Sequence, residues 1–171
     1  MKKLYALLMA GVMTIALAMP TLAAPSPAAA SIASGSTVKT TVSNVGVAAP
    51  SQELAQEVVN VTSNAQVLND LSVPATAHLA AVLEVSYSGE IPAGGVQVPF
   101  DVSGFAKKGD VVYVLHRQAY APYTWEVVGQ AVMGDNLTVT GTFTSFSPVA
   151  FMVVNASEVT AAGAKAPKTG E

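Results

Sequence analysis

The sequence predicts a mainly β domain: an antiparallel β-sandwich of about six strands with one α-helix ahead of it, held between a disordered linker and a disordered tail. Three observations carry this reading. Apolar and polar residues alternate with period two in several short runs across residues 79–154. Turn signals separate those runs, among them Gly94-Gly95, Lys107-Lys108-Gly109-Asp110 and Gly134-Asp135-Asn136. On either side the composition shifts to small residues, which cannot bury enough apolar surface to offset the entropy of ordering the chain.

The elements follow in order. Residues 24–50 are rich in Ala, Ser, Pro and Thr, with Lys39 their only charge, and read as a linker with a short extended piece over 37–47. Ser51, after Pro50, is a helix N-cap, and Glu53 adds a favourable charge to the first turn. Leu54, Val58, Val61, Ala65 and Leu68 then recur at helical spacing on one face, so the helix runs to about Asn69. Val59, Asn60, Thr62 and Asn64 are poor helix formers, so this helix needs something to pack on. Strands are predicted over 79–87, 96–102, 111–116, 125–128, 137–143 and 148–154. Pro99 cannot donate to a ladder and places its strand at an edge. The runs 111–116 and 148–154 are apolar at successive positions, as strands covered on both faces are. The sandwich domain therefore spans 51–155, and residues 156–171 form a low-complexity tail.

Composition narrows the function classes. The chain has 171 residues, 51% hydrophobic and 11% charged, with a net charge of −3. The few basic residues are scattered, which argues against nucleic acid as a partner. There is no Cys, which removes thiol catalysis, thiolate metal sites, disulfides and Cys lipidation.

The two ends carry addresses. Lys2 and Lys3 precede an uncharged apolar run over 4–18, then Pro20 and the small-residue site Thr21-Leu22-Ala23. This is the layout of a signal peptide over residues 1–23, cut by signal peptidase after Ala23, since Pro25 disfavours a cut one residue later. The run is shorter than the roughly 20 residues a spanning helix needs. The expected location is therefore extracellular, secreted or attached to the cell wall.

Three segments together resemble a small β-domain of secreted and wall-anchored surface proteins from gut Clostridia-type Firmicutes. They are Gly109-Asp110-Val111-Val112-Tyr113-Val114-Leu115-His116-Arg117, then Trp125-Glu126-Val127, then Phe143-Thr144-Ser145-Phe146-Ser147-Pro148-Val149-Ala150, with Ile91-Pro92-Ala93-Gly94-Gly95-Val96 fitting the same pattern. The resemblance covers roughly residues 51–154 and implies architecture and compartment, not chemistry. The chain departs from it at 119–124, where Tyr120-Ala121-Pro122-Tyr123 makes a longer aromatic loop than the usual tight turn. At the other end Ala166-Pro167-Lys168-Thr169-Gly170 resembles a sortase sorting pentapeptide of the Leu-Pro-x-Thr-Gly type. By that resemblance sortase cuts the Thr169–Gly170 bond and joins Thr169 to an amine of the peptidoglycan. Ala166 stands where Leu is usual, and Glu171 follows without an apolar tail, so the expectation is either wall anchoring with a tail beyond this sequence or release into the medium.

Residues able to do chemistry are sparse. His78 and His116 stand alone, without a second His or an acidic partner at ligand spacing, so a metal site or a Ser–His–Asp triad would have to come from distant loops. No catalytic, metal or cofactor site is assigned. Asp110, Asp135 and Asn136 read as turn residues rather than calcium ligands. A Lys–Asn crosslink of the kind found in Gram-positive adhesins would draw on Lys107 or Lys108, Asn155 and Glu84. Tyr120, Tyr123 and Trp125 cluster around one loop, where aromatics can stack on a sugar or anchor a protein, unless Trp125 joins the core and the tyrosines cap it. The reading is an exported, non-catalytic cell-surface or secreted module, structural or adhesive, with a host or glycan ligand left unspecified. The alternative is a secreted hydrolase or carbohydrate-binding module with a loop-built site.

Overall fold

Alternating apolar residues form two antiparallel sheets, and the sheets meet across a core of Phe and Val side chains. A computed structural model describes residues 38–163 of the chain. The elements are β1 (Lys39–Thr40), β2 (Val45–Ala48), α1 (Gln52–Thr62), α2 (Ala65–Asp70), β3 (His78–Tyr87), β4 (Val96–Asp101), β5 (Val111–Arg117), β6 (Trp125–Val132), β7 (Thr138–Phe143), β8 (Pro148–Val154) and α3 (Ala156–Gly163). One sheet has the order β1-β4-β7 and the other β2-β3-β8-β5-β6, every pairing antiparallel. The signal peptide expected over 1–23 and the sorting-like pentapeptide 166–170 lie outside the described residues.

The five-stranded sheet is covered twice. Its inner face sends Leu83, Val112, Val114, Val149, Phe151 and Val153 against Val98, Phe100, Val139 and Phe143 of the smaller sheet. Its outer face sends Val82, Tyr113, Leu115, Ala150 and Met152 against Leu54, Val58 and Leu68 of the helices. The molecule is thus a sandwich with a third, helical layer. Every residue of β8 is buried, as the doubly apolar run predicts, because β8 sits between β3 and β5 at the centre of the sheet.

Within the stretch 24–50 that composition reads as linker, the extended piece expected over 37–47 is realised as two short strands, β1 and β2, the latter ending one residue beyond it. β2 pairs with β3 from Val45↔Tyr87 to Ala48↔Glu84, and Val38, Val45 and Val47 reach the core. A four-residue edge strand needs a few apolar contacts and a backbone ladder, and a window dominated by Ala, Ser and Pro hides both. At the other end α3 occupies 156–163, within the low-complexity tail, with Glu158 Oε2 accepting from the Asn155 amide at 3.2 Å.

The predicted single helix is two helices. Ser51 does cap α1, accepting from the Leu54 amide at 3.3 Å. The Thr62 hydroxyl, however, bonds back to the Val58 carbonyl at 2.8 Å, and Asn64 starts a new helix by accepting from the Gln66 and Val67 amides. Both residues offer side-chain bonds that compete with the helical ladder. The break leaves Ala65 exposed and Val61 half-buried, while Leu54, Val58 and Leu68 stay in the core.

Pro99 is also placed otherwise than expected, since β4 is the middle strand of its sheet. The two-residue β1 pairs only with Asp101 and Phe100, so its ladder stops one residue short of Pro99. The missing donor therefore interrupts no β1 bond.

The two sheets close on each other where β6 crosses β7. A Cβ added at Gly129 would lie 2.3 Å from the Thr140 carbonyl oxygen, so only glycine fits. Gly129→Ala is expected to cost about 1–3 kcal/mol through overpacking. Phe151→Ala, which removes a fully buried ring packed edge-on against Phe100, should cost about 3–5 kcal/mol. Val132→Ser, at a 69% exposed position, should stay within about 0.5 kcal/mol of the parent. Urea unfolding of the three variants checks the assignment, and a Phe151→Ala protein as stable as the Val132 variant would refute the core.

Candidate functional site

The β5–β6 hairpin carries the polar chemistry. Successive residues of β5 point to opposite faces. His116 therefore enters the inner layer, where its ring meets Phe143 edge-on at 5.4 Å. Arg117 enters the outer layer, where its guanidinium meets Glu57 of α1.

On the inner side His116 is fully buried and holds a partner on each ring nitrogen. Nδ1 lies 3.0 Å from Glu126 Oε1, and Nε2 lies 3.1 Å from Ser147 Oγ in the turn between β7 and β8. Gln118 Nε2 donates to the second oxygen of Glu126, and the Thr124 hydroxyl donates to Gln118 Oε1. A β-bulge makes the His–Glu pairing. From Val111↔Val132 to Val114↔Gly129 the register would set His116 opposite Val127, but the ladder shifts at Leu115 and sets it opposite Glu126.

A carboxylate, an imidazole and a serine hydroxyl in this order resemble an acyl-transfer relay. Such a relay also needs a free nucleophile beside a cleft and donors for an oxyanion. The Ser147 hydroxyl also lies against the Arg117 carbonyl. The trio therefore ties β5, β6 and the β7–β8 turn together across the end of the inner layer.

On the outer side Arg117 Nη1 donates to Glu57 Oε2 at 2.6 Å, and its guanidinium carbon sits 5.3 Å from the centre of the Tyr123 ring. Arg117 Nε is buried without a hydrogen-bond partner. Beside Glu57, a shallow depression of ≈ 600 Å³ on α1 is lined by Gln52, Glu53, Gln56, Glu57 and Asn60. The loop that carries Tyr123 is closed by the Gln118 amide donating to the Thr124 carbonyl at 2.8 Å, and its Ala121–Pro122 peptide is cis.

The aromatic loop residues separate into two kinds. Tyr120 and Tyr123 are 79% and 61% exposed. Trp125 is half-buried against the cluster that includes Leu54 and Val58. The other residues weighed from sequence are occupied or exposed. Asp110 accepts from the Lys107 and Ala156 amides, Asp135 pairs with Lys108 on the surface, and His78 and Glu84 are exposed. Glu84 is thus no buried carboxylate for a Lys–Asn crosslink. Asn155 is exposed and its side chain reaches Glu158. Among the described residues no three acidic or histidine side chains gather as metal ligands. Elsewhere one carboxyl and one phenol have shifted pKa values: the Ser103 hydroxyl and amide hold Asp101 below the ordinary carboxylate value, and burial pushes Tyr113 up.

Glu57, Arg117, Glu126 and Ser147 are the residues that sequence reasoning missed. The hairpin itself was a usable signal, because pairing the predicted strands 111–116 and 125–128 around their loop brings Glu126 close to His116. Nothing in the spacing relates Glu57 or Ser147 to them. Compared with protein-family models, with curated proteins and with solved structures, the chain has no match.

Ser147→Ala leaves Nε2 of a buried histidine unpartnered and is expected to cost about 1–3 kcal/mol. Because Glu126 and Ser147 bind one imidazole, the loss in Glu126→Gln/Ser147→Ala should differ from the sum of the single losses by more than about 0.5 kcal/mol. Additive losses in urea unfolding would show that the three groups do not act as one network.

Proposed function

We propose that this chain is an exported, non-catalytic module of a Gram-positive cell surface, structural or adhesive, retained at the cell wall or released into the medium. The observation that carries the reading is the pairing of an export signal at residues 1–23 with the sorting-like Ala166-Pro167-Lys168-Thr169-Gly170. Between them lies a packed sandwich with a helical layer, a sound unit for display. The resemblance to surface β-domains of Firmicutes agrees with this compartment. On this reading signal peptidase cuts after Ala23, and sortase transfers Thr169 to peptidoglycan. Pro167 favours the extended backbone that a peptidase groove accepts.

The Ser147–His116–Glu126 alignment favours a second reading, a secreted hydrolase. A fluorophosphonate probe separates the two. The display module leaves Ser147 unlabelled, whereas labelling that His116→Gln abolishes would establish the hydrolase.

Expression of the complete gene in a sortase-bearing Gram-positive host tests the display reading. Mass spectrometry of the mature protein is expected to find an N-terminus at Ala24, and Thr169→Ala should move protein from the wall fraction to the membrane or medium. A mature product that keeps Met1 would refute export. A Thr169 variant that stays in the wall fraction in parental amounts would refute sorting.

A further inference from the structure

We infer that the ledge formed by Tyr123, Arg117 and the outer face of α1 binds an uncharged glycan, an assignment that rests on the reading of this chain as an adhesive module. The ledge combines a fixed aromatic ring with a row of polar side chains. Arg117 covers part of Tyr123, and Glu57 holds Arg117 at 2.6 Å, yet Tyr123 remains 61% exposed. A ring positioned in advance loses little conformational freedom on binding. Glu57 also lines the ≈ 600 Å³ depression with Gln52, Glu53, Gln56 and Asn60, so the polar row continues from the aromatic ring through the Arg117–Glu57 pair.

Ligand chemistry follows from that lining. Gln56 Nε2 donates to Asn60 Oδ1 at 3.2 Å, which leaves the Gln56 carbonyl, the Asn60 amide donors and the Gln52 amide to face a ligand, a mix that suits sugar hydroxyls that both give and take protons. The apolar C–H face of a pyranose suits the open ring of Tyr123. An anionic ligand is disfavoured, because Glu57 neutralises Arg117 and Glu53 adds a further negative charge. A protein partner is disfavoured too, since the cores of such interfaces are depleted in charge and rich in apolar surface, and the α1 face beside the Arg117–Glu57 pair carries two carboxylates and three amides.

The test uses the purified mature chain and three soluble neutral probes, cellotetraose, mannotetraose and chitotetraose, titrated by calorimetry at low and high salt. At least one is expected to bind with an affinity insensitive to salt. Tyr123→Ala should weaken that binding about tenfold or more, and Arg117→Gln should weaken it as well by releasing the ring. Val132→Ser should bind like the parent, and unchanged thermal unfolding of Tyr123→Ala separates lost contact from lost fold. No binding of any of the three probes, or parental affinity in Tyr123→Ala, would overturn the assignment. Salt-sensitive binding of a heparin tetrasaccharide in preference to all three would overturn it as well. The wall and medium distribution of Tyr123→Ala is measured separately. A protein that is exported and sorted normally but binds no glycan refutes this site and leaves the display reading standing.

Discussion

Burial on both faces of the β5–β8 pair is the constraint on which the other layers depend. Val111 to His116 and all of β8 are buried, so neither side of the five-stranded sheet faces solvent at its centre. A two-layer sandwich would leave Tyr113, Leu115, Ala150 and Met152 uncovered. α1 and α2 cover them, and this accounts for a helix built on Val59, Asn60 and Thr62 despite their weak propensity. The smaller sheet covers the other side with Phe100 and Phe143, whose rings meet edge-on at 6.0 Å. No disulfide is available to stabilise this arrangement, so it relies on shape. The glycine at 129, where the sheets nearly touch, belongs to the same requirement.

The double coverage also sorts the polar residues. His116 and Arg117 are neighbours in sequence, but the pleat sends them into different layers. Each would be an isolated polar group at the end of a mostly apolar strand, and each recruits partners from elsewhere in the chain. Glu126 and Ser147 satisfy the imidazole, and Glu57 and the Tyr123 ring accommodate the guanidinium. The polar groups of the hairpin end thus join β5 to β6, to the β7–β8 turn and to α1. Buried polar groups are tolerated in this way when their partners are supplied.

Much of the fold was legible because its main signals are local. Alternation marked the strands over 79–87, 96–102 and 137–143, Ser51 marked the start of α1, and the doubly apolar runs marked the two central strands. The misreadings share a cause, since each depended on a neighbour that composition does not reveal. β2 is a strand because β3 offers it an edge. Asn64 divides the helix because its side chain competes for the backbone. Pro99 sits in a central strand because β1 is too short to reach it. The candidate site was less legible still. Tyr120 and Tyr123 stood out as a loop, whereas Glu57 lies 60 residues from Arg117 and Ser147 lies 31 from His116. A bulge at Val128 of β6, opposite the step from Val114 to Leu115, which no sequence pattern announces, decides that His116 faces Glu126.

The route from core to surface runs through Arg117. Val58 at the centre of α1 is fully buried beneath the sheet's outer face, and it fixes the helix that carries Glu57. Glu57 fixes Arg117, and Arg117 sits over Tyr123. An exposed tyrosine on a seven-residue connection would otherwise sample many rotamers and lose that freedom on meeting a partner. Here its position is inherited from the hydrophobic packing of the helical layer. The same packing that a doubly buried sheet demands therefore also orients the one aromatic loop the hairpin presents to solvent. A change in the α1 core should be felt at Tyr123 before it is felt at Tyr120, because only the former is tied back to the helix.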